Sequence, residues 1–460
     1  MTRRRPLTCL VMILLLIWIP AQPALGLTVR EEEVLGRRFR AAMFHQLEFY
    51  QDPVLTTYLE RVGRSLARKF DNLAYEPTFH LMNDHRLNAF AAPGGVVVIT
   101  RGLVEKFQSV DELAGVLAHE LAHVSERHLA DRMEQASKIQ WTALAGLVAA
   151  ALIGAATGSS QAASGIMIGT LAAGQQAGLA YSRIQETEAD QVGVRQMSLA
   201  GYDPRGSLVA LERLKKASDL SRLSAPAYLR THPEIPARLR FLSAIKDDRA
   251  PGAISPNSED WDWFKARLAA ESGDLDWAKD RLGPLADYFK GFTELRGGQN
   301  NQAARTLARV YGDAPHRLGV VEAYAEALRR TGGLGRAAAL LETSLTVRPN
   351  DPSVLLLLGQ VYLDQKRFEE AIMRFNEARK VWPFEPQVYR NLSLAYGRSG
   401  ELSKAHDNLA WSYVLTANRV KALRNFDLAL HHARSRTEKE RIEKRVEEAQ
   451  ELLPPPVRAN

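Results

Sequence analysis

The chain has 460 residues, of which 46% are hydrophobic and 25% are charged, with a formal net charge of +7. This is a globular composition, and the length predicts at least two domains because a single hydrophobic core stops growing well below this size. Three of the positive charges, Arg3, Arg4 and Arg5, lie in a segment that we expect to be removed, so the remaining charge gives no case for nucleic-acid binding.

The N-terminus has the pattern of a secretory signal peptide. The three arginines precede an apolar run from Leu7 to Ile19, and the small residues Ala24 and Gly26 fit a cleavage site. We therefore expect residues 1–26 to be cleaved and the mature chain to be periplasmic. The alternative is a short uncleaved anchor, although the run is shorter than the ~20 residues that span a bilayer.

Cysteine usage limits the chemistry of the mature protein. Cys9 is the only cysteine, and it lies within the predicted signal peptide. A mature chain without cysteine has no disulfides and no thiolate metal site. Any metal ion must therefore be held by histidines and carboxylates.

Helices and one strand are predicted ahead of the central motif. Residues 27 to about 80 have an amphipathic helical pattern, and the β-branched run from Val96 to Thr100 follows a Pro-Gly-Gly turn and predicts a strand. Ser109 and Glu112 predict a capping box at the start of a helix that continues to about Gln135.

An Ala- and Gly-rich segment follows at residues 141–180. Its longest uncharged stretch, Ala143 to Ala156, is too short for a transmembrane helix, so we expect a buried helical pair. The alternative is a mobile or membrane-apposed flap near the site. A further helix is predicted at 181–200, then a loop and a helix that ends near residue 246.

The C-terminal part repeats with a period of about 34 residues, the length of a tetratricopeptide repeat. Pro315, Pro349 and Pro383 are spaced by this period, and Gly359 falls at the position where two helices pack closely. The sequence thus predicts a mainly α protein, with an α+β domain that contains a small sheet, followed by an α-helical repeat solenoid. The expected boundaries are 27–246 for the first domain, 247–260 for a linker and 261–453 for the repeats.

The sequence HELAH lies in the helix that begins near Ser109. Residues four apart share one face of a helix, so His119 and His123 can reach the same metal ion. Glu120 lies between them and would flank the ion, which suits a general base. The alternative, a polar helix face with two incidental histidines, is disfavoured by the apolar residues around them, because buried histidines need partners.

The third ligand is predicted in the sequence SRIQETEAD. Glu186 can complete a site of two histidines and one glutamate, and Asp190, one turn later, can accept the outer N–H of a ligand histidine. His128 is predicted to lie off the metal-facing side of its helix, and Glu188 to face away from Glu186. His45, His80 and His85 have no ligand spacing and are interpreted as structural.

HELAH followed by SRxxExxAD resembles the M48 metallopeptidases, and the signal peptide and repeats resemble the periplasmic BepA-type branch of that family. The resemblance extends over nearly the whole mature chain and includes the sequence NAFAAPGGVVVITRGL. It implies that the first domain is a zincin-like α+β metallopeptidase domain. It also implies one zinc ion per chain held by His119, His123 and Glu186, with Glu120 as the catalytic base and Asp190 supporting the ligands. It also implies a role in quality control of outer-membrane proteins.

Two further expectations concern substrate binding. The strand from Gly95 to Thr100 is predicted to offer an edge to which an extended, unfolded polypeptide adds, although an internal strand is the alternative. In BepA-type enzymes a similar THP loop supplies a histidine that can reach the zinc. His232 is therefore interpreted as a resting-state fourth ligand, as a transition-state donor or as a loop histidine.

The expected function is cleavage of unfolded or misassembled envelope proteins. The repeats would bind partners or clients, including the outer-membrane assembly machinery, and peripheral membrane association is left open. The competing hypothesis is an assembly factor or chaperone with residual proteolysis. An integral-membrane prenyl-protein protease would need more membrane spans than the sequence contains.

Overall fold

The computed structural model describes residues 28–135, 181–220, 226–250, 252–279 and 281–453. The predicted signal peptide and the Ala- and Gly-rich segment lie outside these ranges. Within them, none of the helices combines the length and the apolar character needed to cross a membrane.

The N-terminal part of the described chain consists of helices around one small sheet. Its helices are α1 (Val29–Gln46), α2 (Pro53–Ala67), α3 (Arg101–Lys106), α4 (Val110–Ser125), α5 (His128–Gln135), α6 (Arg183–Leu199), α7 (Arg205–Leu220), α8 (Ala227–Thr231) and α9 (Ile235–Ser243). Its strands are β1 (Thr78–Met82), β2 (Ala89–Ala92) and β3 (Val96–Thr100).

The sheet has the strand order β1-β3-β2, with β3 parallel to β1 and antiparallel to β2. The predicted strand is therefore real, but it begins at Val96 and all five of its residues are buried. Because β3 is bonded on both sides, the prediction that it offers a free edge to substrate is wrong. Among the described residues, β2 pairs only with β3 and is therefore the edge strand on that side of the sheet.

Helix α4 is the central helix of this domain and is buried along almost its whole length. The hydroxyl of Ser109 accepts a hydrogen bond from the Glu112 N–H, while the Glu112 carboxylate accepts one from Gln108 and not from Ser109. The predicted capping box is thus only half formed. The predicted continuous helix to Gln135 is also interrupted, because Arg127 adopts a left-handed conformation with φ of 52° between α4 and α5.

The C-terminal part is a stack of antiparallel helices, as the period predicts. Its helices are α10 (Trp261–Ser272), α11 (Pro284–Arg296), α12 (Asn300–Asp313), α13 (Val320–Arg330), α14 (Leu334–Val347), α15 (Pro352–Asp364), α16 (Phe368–Val381), α17 (Pro386–Arg398), α18 (Leu402–Val414), α19 (Arg419–His432) and α20 (Arg436–Leu452). A Cβ atom on Gly359 would lie 2.4 Å from the Phe375 ring, so the close packing of α15 on α16 requires glycine there.

Buried polar contacts join the two parts of the chain. Arg267 on α10 pairs with Asp52, the N-cap residue of α2, at 2.7 Å, and both side chains are almost fully buried. The hydroxyl of Tyr58 donates to the carbonyl of Asn257 at 2.9 Å. His45, interpreted as structural, lies 3.0 Å from the Thr416 carbonyl and so links α1 to the repeats. The repeats are therefore packed directly against the domain that contains the HELAH helix.

Candidate metal centre

Helix α4 carries three of the predicted site residues into the interior. His119, Glu120 and His123 are at most 4% exposed. The two imidazoles turn their Nε2 atoms toward each other at 3.1 Å, so both face the same small space. The i, i+4 spacing that the sequence predicted thus results in two convergent nitrogen donors.

Helix α6 brings Glu186 to the same space. The Ser182 hydroxyl and the Gln185 side chain form a reciprocal capping box that starts this helix just before Glu186. Farther along α6, a Cβ atom on Gly193 would lie 3.2 Å from the Ala118 backbone, which explains how α6 packs closely on α4. The Glu186 carboxylate lies 3.6 Å from the Nε2 atoms of both His119 and His123.

His232 also lies in this cluster. It follows α8, is 1% exposed, and its ring stacks on the Tyr228 ring with centroids 4.5 Å apart. Its Nδ1 atom is 3.0 Å from Glu186 Oε1 and 3.3 Å from His119 Nε2. Its Nε2 atom is 3.4 Å from Glu120 Oε1. The loop histidine therefore lies between the predicted ligands and the predicted base.

The donor set fits a metal ion. One ligand atom from each of His119, His123, Glu186 and His232 lies within 4.8 Å of the others, and all four residues are buried. Within the described ranges, neither Glu120 oxygen accepts a hydrogen bond, and the His232 ring lies 3.4 Å from Glu120 Oε1. A buried carboxylate without a hydrogen bond is costly, and a cation beside Glu120 would supply a compensating interaction.

The protonation states suit metal binding as well. Burial lowers the pKa of His123 well below its ordinary value, so its ring is neutral and has a free lone pair. Burial alone would raise the pKa of Glu186, but the charges of His232 and Arg238 outweigh burial and hold it well below its usual range. Glu186 is therefore an ionised carboxylate.

Asp190 and Arg238 support the cluster from outside. Asp190 Oδ1 lies 2.9 Å from His119 Nδ1, as expected for a residue that fixes the tautomer of a ligand histidine. The Arg238 guanidinium pairs with Asp190 and also with Glu186, each at 2.8 Å. Burial would raise the pKa of Asp190, but the charge of Arg238 and the contact with His119 lower it. Arg238 was not predicted from the sequence; it lies on α9, six residues after His232.

A chain of polar contacts supports His123 on the other side. His128 Nδ1 lies 2.8 Å from His123 Nδ1, and His128 Nε2 lies 3.2 Å from the Glu188 carboxylate. If His123 binds an ion through Nε2, its Nδ1–H donates to His128, whose Nε2–H then donates to Glu188. As predicted, His128 lies off the metal-facing side of the helix. Its contact with His123 was not predicted, because it depends on the break after α4, which turns His128 back toward His123.

The ring of Tyr181 covers one face of the His123 ring. The two rings are stacked, with centroids 3.7 Å apart and planes 17° apart. The Tyr181 N–H donates to the Thr231 carbonyl at 3.1 Å, which ties the start of α6 to the segment that carries His232. No local pattern points to Tyr181, because it follows the Ala- and Gly-rich segment and reaches the site only through the tertiary fold.

All six predicted site residues, His119, Glu120, His123, Glu186, Asp190 and His232, lie in one buried cluster. A helix with two histidines around a glutamate, joined by a carboxylate from a second helix, is the arrangement of a metallopeptidase of the zincin type.

Comparisons with known proteins agree with this class. The family model described as peptidase family M48 matches residues 53–246, and that of the tetratricopeptide repeat matches residues 322–386 and 356–407. The beta-barrel assembly-enhancing protease of Yersinia pestis is 28% identical over 418 residues, which cover 88% of this chain and 80% of that protein. The protein of the same name from Escherichia coli (strain K12) is 29% identical over 388 residues, which cover 82% and 72%. The mitochondrial metalloendopeptidase OMA1 of Arabidopsis thaliana is 32% identical over 186 residues, which cover 38% and 35%.

The chain is therefore a metallopeptidase whose residues 53–246 match peptidase family M48 and whose later helices match the tetratricopeptide repeat. This confirms the resemblance on which the sequence analysis relied, together with the mainly helical fold class and the enzyme class.

Proposed function

We propose that the chain is a periplasmic zinc endopeptidase that cleaves unfolded or misassembled envelope polypeptides. One observation carries this proposal. The carboxylate of Glu120, which accepts no hydrogen bond within the described residues, lies beside a buried group of two imidazoles and one carboxylate that suits a catalytic metal ion. Nitrogen and oxygen donors in a small four-ligand site favour zinc, which takes tetrahedral sites of this composition.

In this proposal, metal binding, proton transfer and positioning of the ligands are carried out by different residues. His119, His123 and Glu186 would hold a zinc ion, which would supply Lewis-acid activation of the scissile carbonyl and of water. Glu120 accepts a proton from the attacking water and passes it to the departing amine. Asp190 keeps the His119 ring in one tautomer and orientation, and Arg238 keeps Glu186 and Asp190 ionised.

His232 is proposed to occupy the fourth ligand position in the resting enzyme and to leave it when substrate enters. Its ring is almost fully buried between Glu186, His119 and Glu120. A substrate carbonyl that reaches the proposed metal ion beside Glu120 would need this space, so we propose that the ring moves aside when substrate enters. This favours the resting-ligand interpretation over a loop histidine without function.

We propose that substrate binds along β2 and not along β3, the strand for which the sequence predicted this role. Strand β2 is bonded to β3 on one side and packs near α4, and its residues Ala89–Ala92 are small apart from Phe90. An extended polypeptide could add to its outer side through main-chain hydrogen bonds. Only an unfolded or unassembled segment offers a free strand, which explains the proposed preference.

The proposed cellular role is quality control during outer-membrane protein assembly. Two of the similar proteins are named for enhancing beta-barrel assembly, and this chain resembles them over most of its length. The repeats are proposed to bind the assembly machinery or its clients. The competing role is that of a chaperone with residual proteolysis, and the Glu120 variant described in the Discussion separates the two.

The substrate preference can be tested on one protein in two states. Native ribonuclease and its reduced, carboxymethylated form have the same sequence but differ in folding and in the carboxymethyl groups on their cysteines. We expect the purified mature chain to cut the unfolded form at internal bonds and to leave the native form intact, as mass spectrometry of the products would detect. Equal cleavage of both forms, or release of terminal residues only, would refute the proposed endopeptidase specificity.

A further inference from the structure

A basic pocket opens at the C-terminal end of the repeats, far along the chain from the metal centre. We call it the repeat-end pocket. It has a volume of about 600 Å³ and lies among helices α16 to α20. Its basic lining residues are Arg379, Lys404, Arg434, Arg441 and Arg445.

The carboxylates around the pocket do not balance these charges. The pocket lining includes only two, Glu401 and Glu438, and Glu401 is paired with Lys404. The fully buried Asp407 lies behind the lining and accepts from both Arg441 and Arg445 through the same oxygen, at 2.8 and 2.9 Å. Two guanidinium groups therefore share one carboxylate oxygen.

Arg379 adds a further positive charge without a partner of its own. In the part of the chain that the structure describes, it forms no ion pair or hydrogen bond. Burial lowers the pKa of Arg445. Asp407 and Tyr389 raise this pKa, whereas the positive charges of Arg441 and Arg379 lower it further. The protein thus holds several guanidinium groups close together with too little negative charge to satisfy them.

We propose that the repeat-end pocket binds the carboxylates of an acidic, extended polypeptide segment. Guanidinium groups pair with carboxylates through two parallel hydrogen bonds, and each arginine here uses only part of its donor capacity on Asp407. The pocket wall also includes Tyr396 and Leu402, which can contact apolar side chains of the same segment. This inference rests on the docking role proposed above for the repeats, and it specifies the chemistry of the partner.

A polypeptide fits this site better than a nucleic acid. Nucleic-acid binding uses a basic stripe that follows a phosphate backbone, whereas this site is a single pocket whose lining also includes Tyr396 and Leu402. The net charge of the whole chain is also modest for its length. A nucleic acid is therefore the alternative that the binding experiment must exclude.

The binding test uses the mature full-length chain and fluorescence anisotropy. The probe is a short fluorescein-labelled peptide of alternating Glu and Leu, with a free or an amidated C-terminus to separate terminal from side-chain carboxylates. We expect binding that weakens as salt is raised, and that weakens about tenfold in Arg379→Glu. Arg305→Glu changes charge equally at an exposed repeat position outside the pocket, and we expect it to bind as the wild type does.

Several outcomes would overturn the proposal. These are equal affinity in Arg379→Glu and wild type, equal affinity for a Lys-Leu peptide, or tighter binding of a single-stranded oligonucleotide than of the acidic peptide. Arg379→Gln removes the charge without reversing it, and circular dichroism of both variants reports whether the repeats remain folded. Because binding is measured without cleavage, an inactive peptidase would leave this result unaffected, and absence of binding would leave the peptidase proposal intact.

Discussion

Replacement of Glu120 by Gln is expected to lower kcat for cleavage of an unfolded protein by about 10³-fold, the middle of the range for loss of a general acid–base group. Gln has nearly the same size as Glu but cannot accept the proton of the attacking water. Neither oxygen of Glu120 accepts a hydrogen bond from the described residues, so the substitution breaks no hydrogen bond that the structure contains. Steady-state cleavage of casein, with metal content measured in parallel, checks this expectation.

Glu212→Gln is a suitable control for this experiment. Glu212 is exposed on α7, which packs against α4, and its substitution removes the same charge away from the site. We expect the control to be as active as the wild type. Undiminished cleavage by Glu120→Gln would exclude Glu120 as the base. A Glu120→Gln strain that retains full envelope integrity would instead favour the chaperone role.

Substitution of His232 by Ala is expected to raise kcat/KM by about 100-fold. This follows if the closed arrangement is favoured by about 3 kcal/mol, because then roughly one molecule in 100 is open to substrate. The variant removes the ring that lies between Glu186, His119 and Glu120. Cleavage of casein at substrate concentrations below KM measures the ratio directly.

The other two interpretations of His232 predict different results in the same assay. A transition-state donor predicts a loss of kcat, and a loop histidine without function predicts no change. His316→Ala serves as the control, since His316 is an exposed histidine in the repeats. Metal content must be measured for both variants, because a drop in bound metal would by itself lower the rate.

The spacing of residues along the helices predicted which side chains form this site better than it predicted the residues that contact them. The i, i+4 pairs in α4 and α6 determine which side chains share a helix face, so the sequence was sufficient to select His119, His123, Glu186 and Asp190. The structure brings these residues together, although their catalytic roles stay predictions. The repeats were also predictable, because each packing residue returns after one period.

The features that sequence reasoning missed depend on tertiary contacts. Arg238 and Tyr181 reach the cluster only because the segment after α8 and the start of α6 fold over α4. His128 reaches His123 only because the backbone of Arg127 breaks the helix. The position of β3 in the sheet was likewise unpredictable from its own residues. A buried strand has the same β-branched residue pattern whether it pairs with one neighbouring strand or with two.

The most direct test of a zinc peptidase is to measure zinc per purified mature chain together with casein cleavage, before chelation, after chelation and after zinc is restored. We expect one zinc ion per chain, loss of cleavage when the ion is removed, and recovery when it returns. Full cleavage by a chain from which all metal has been removed would contradict the account, because activation of the scissile carbonyl is assigned to the metal ion.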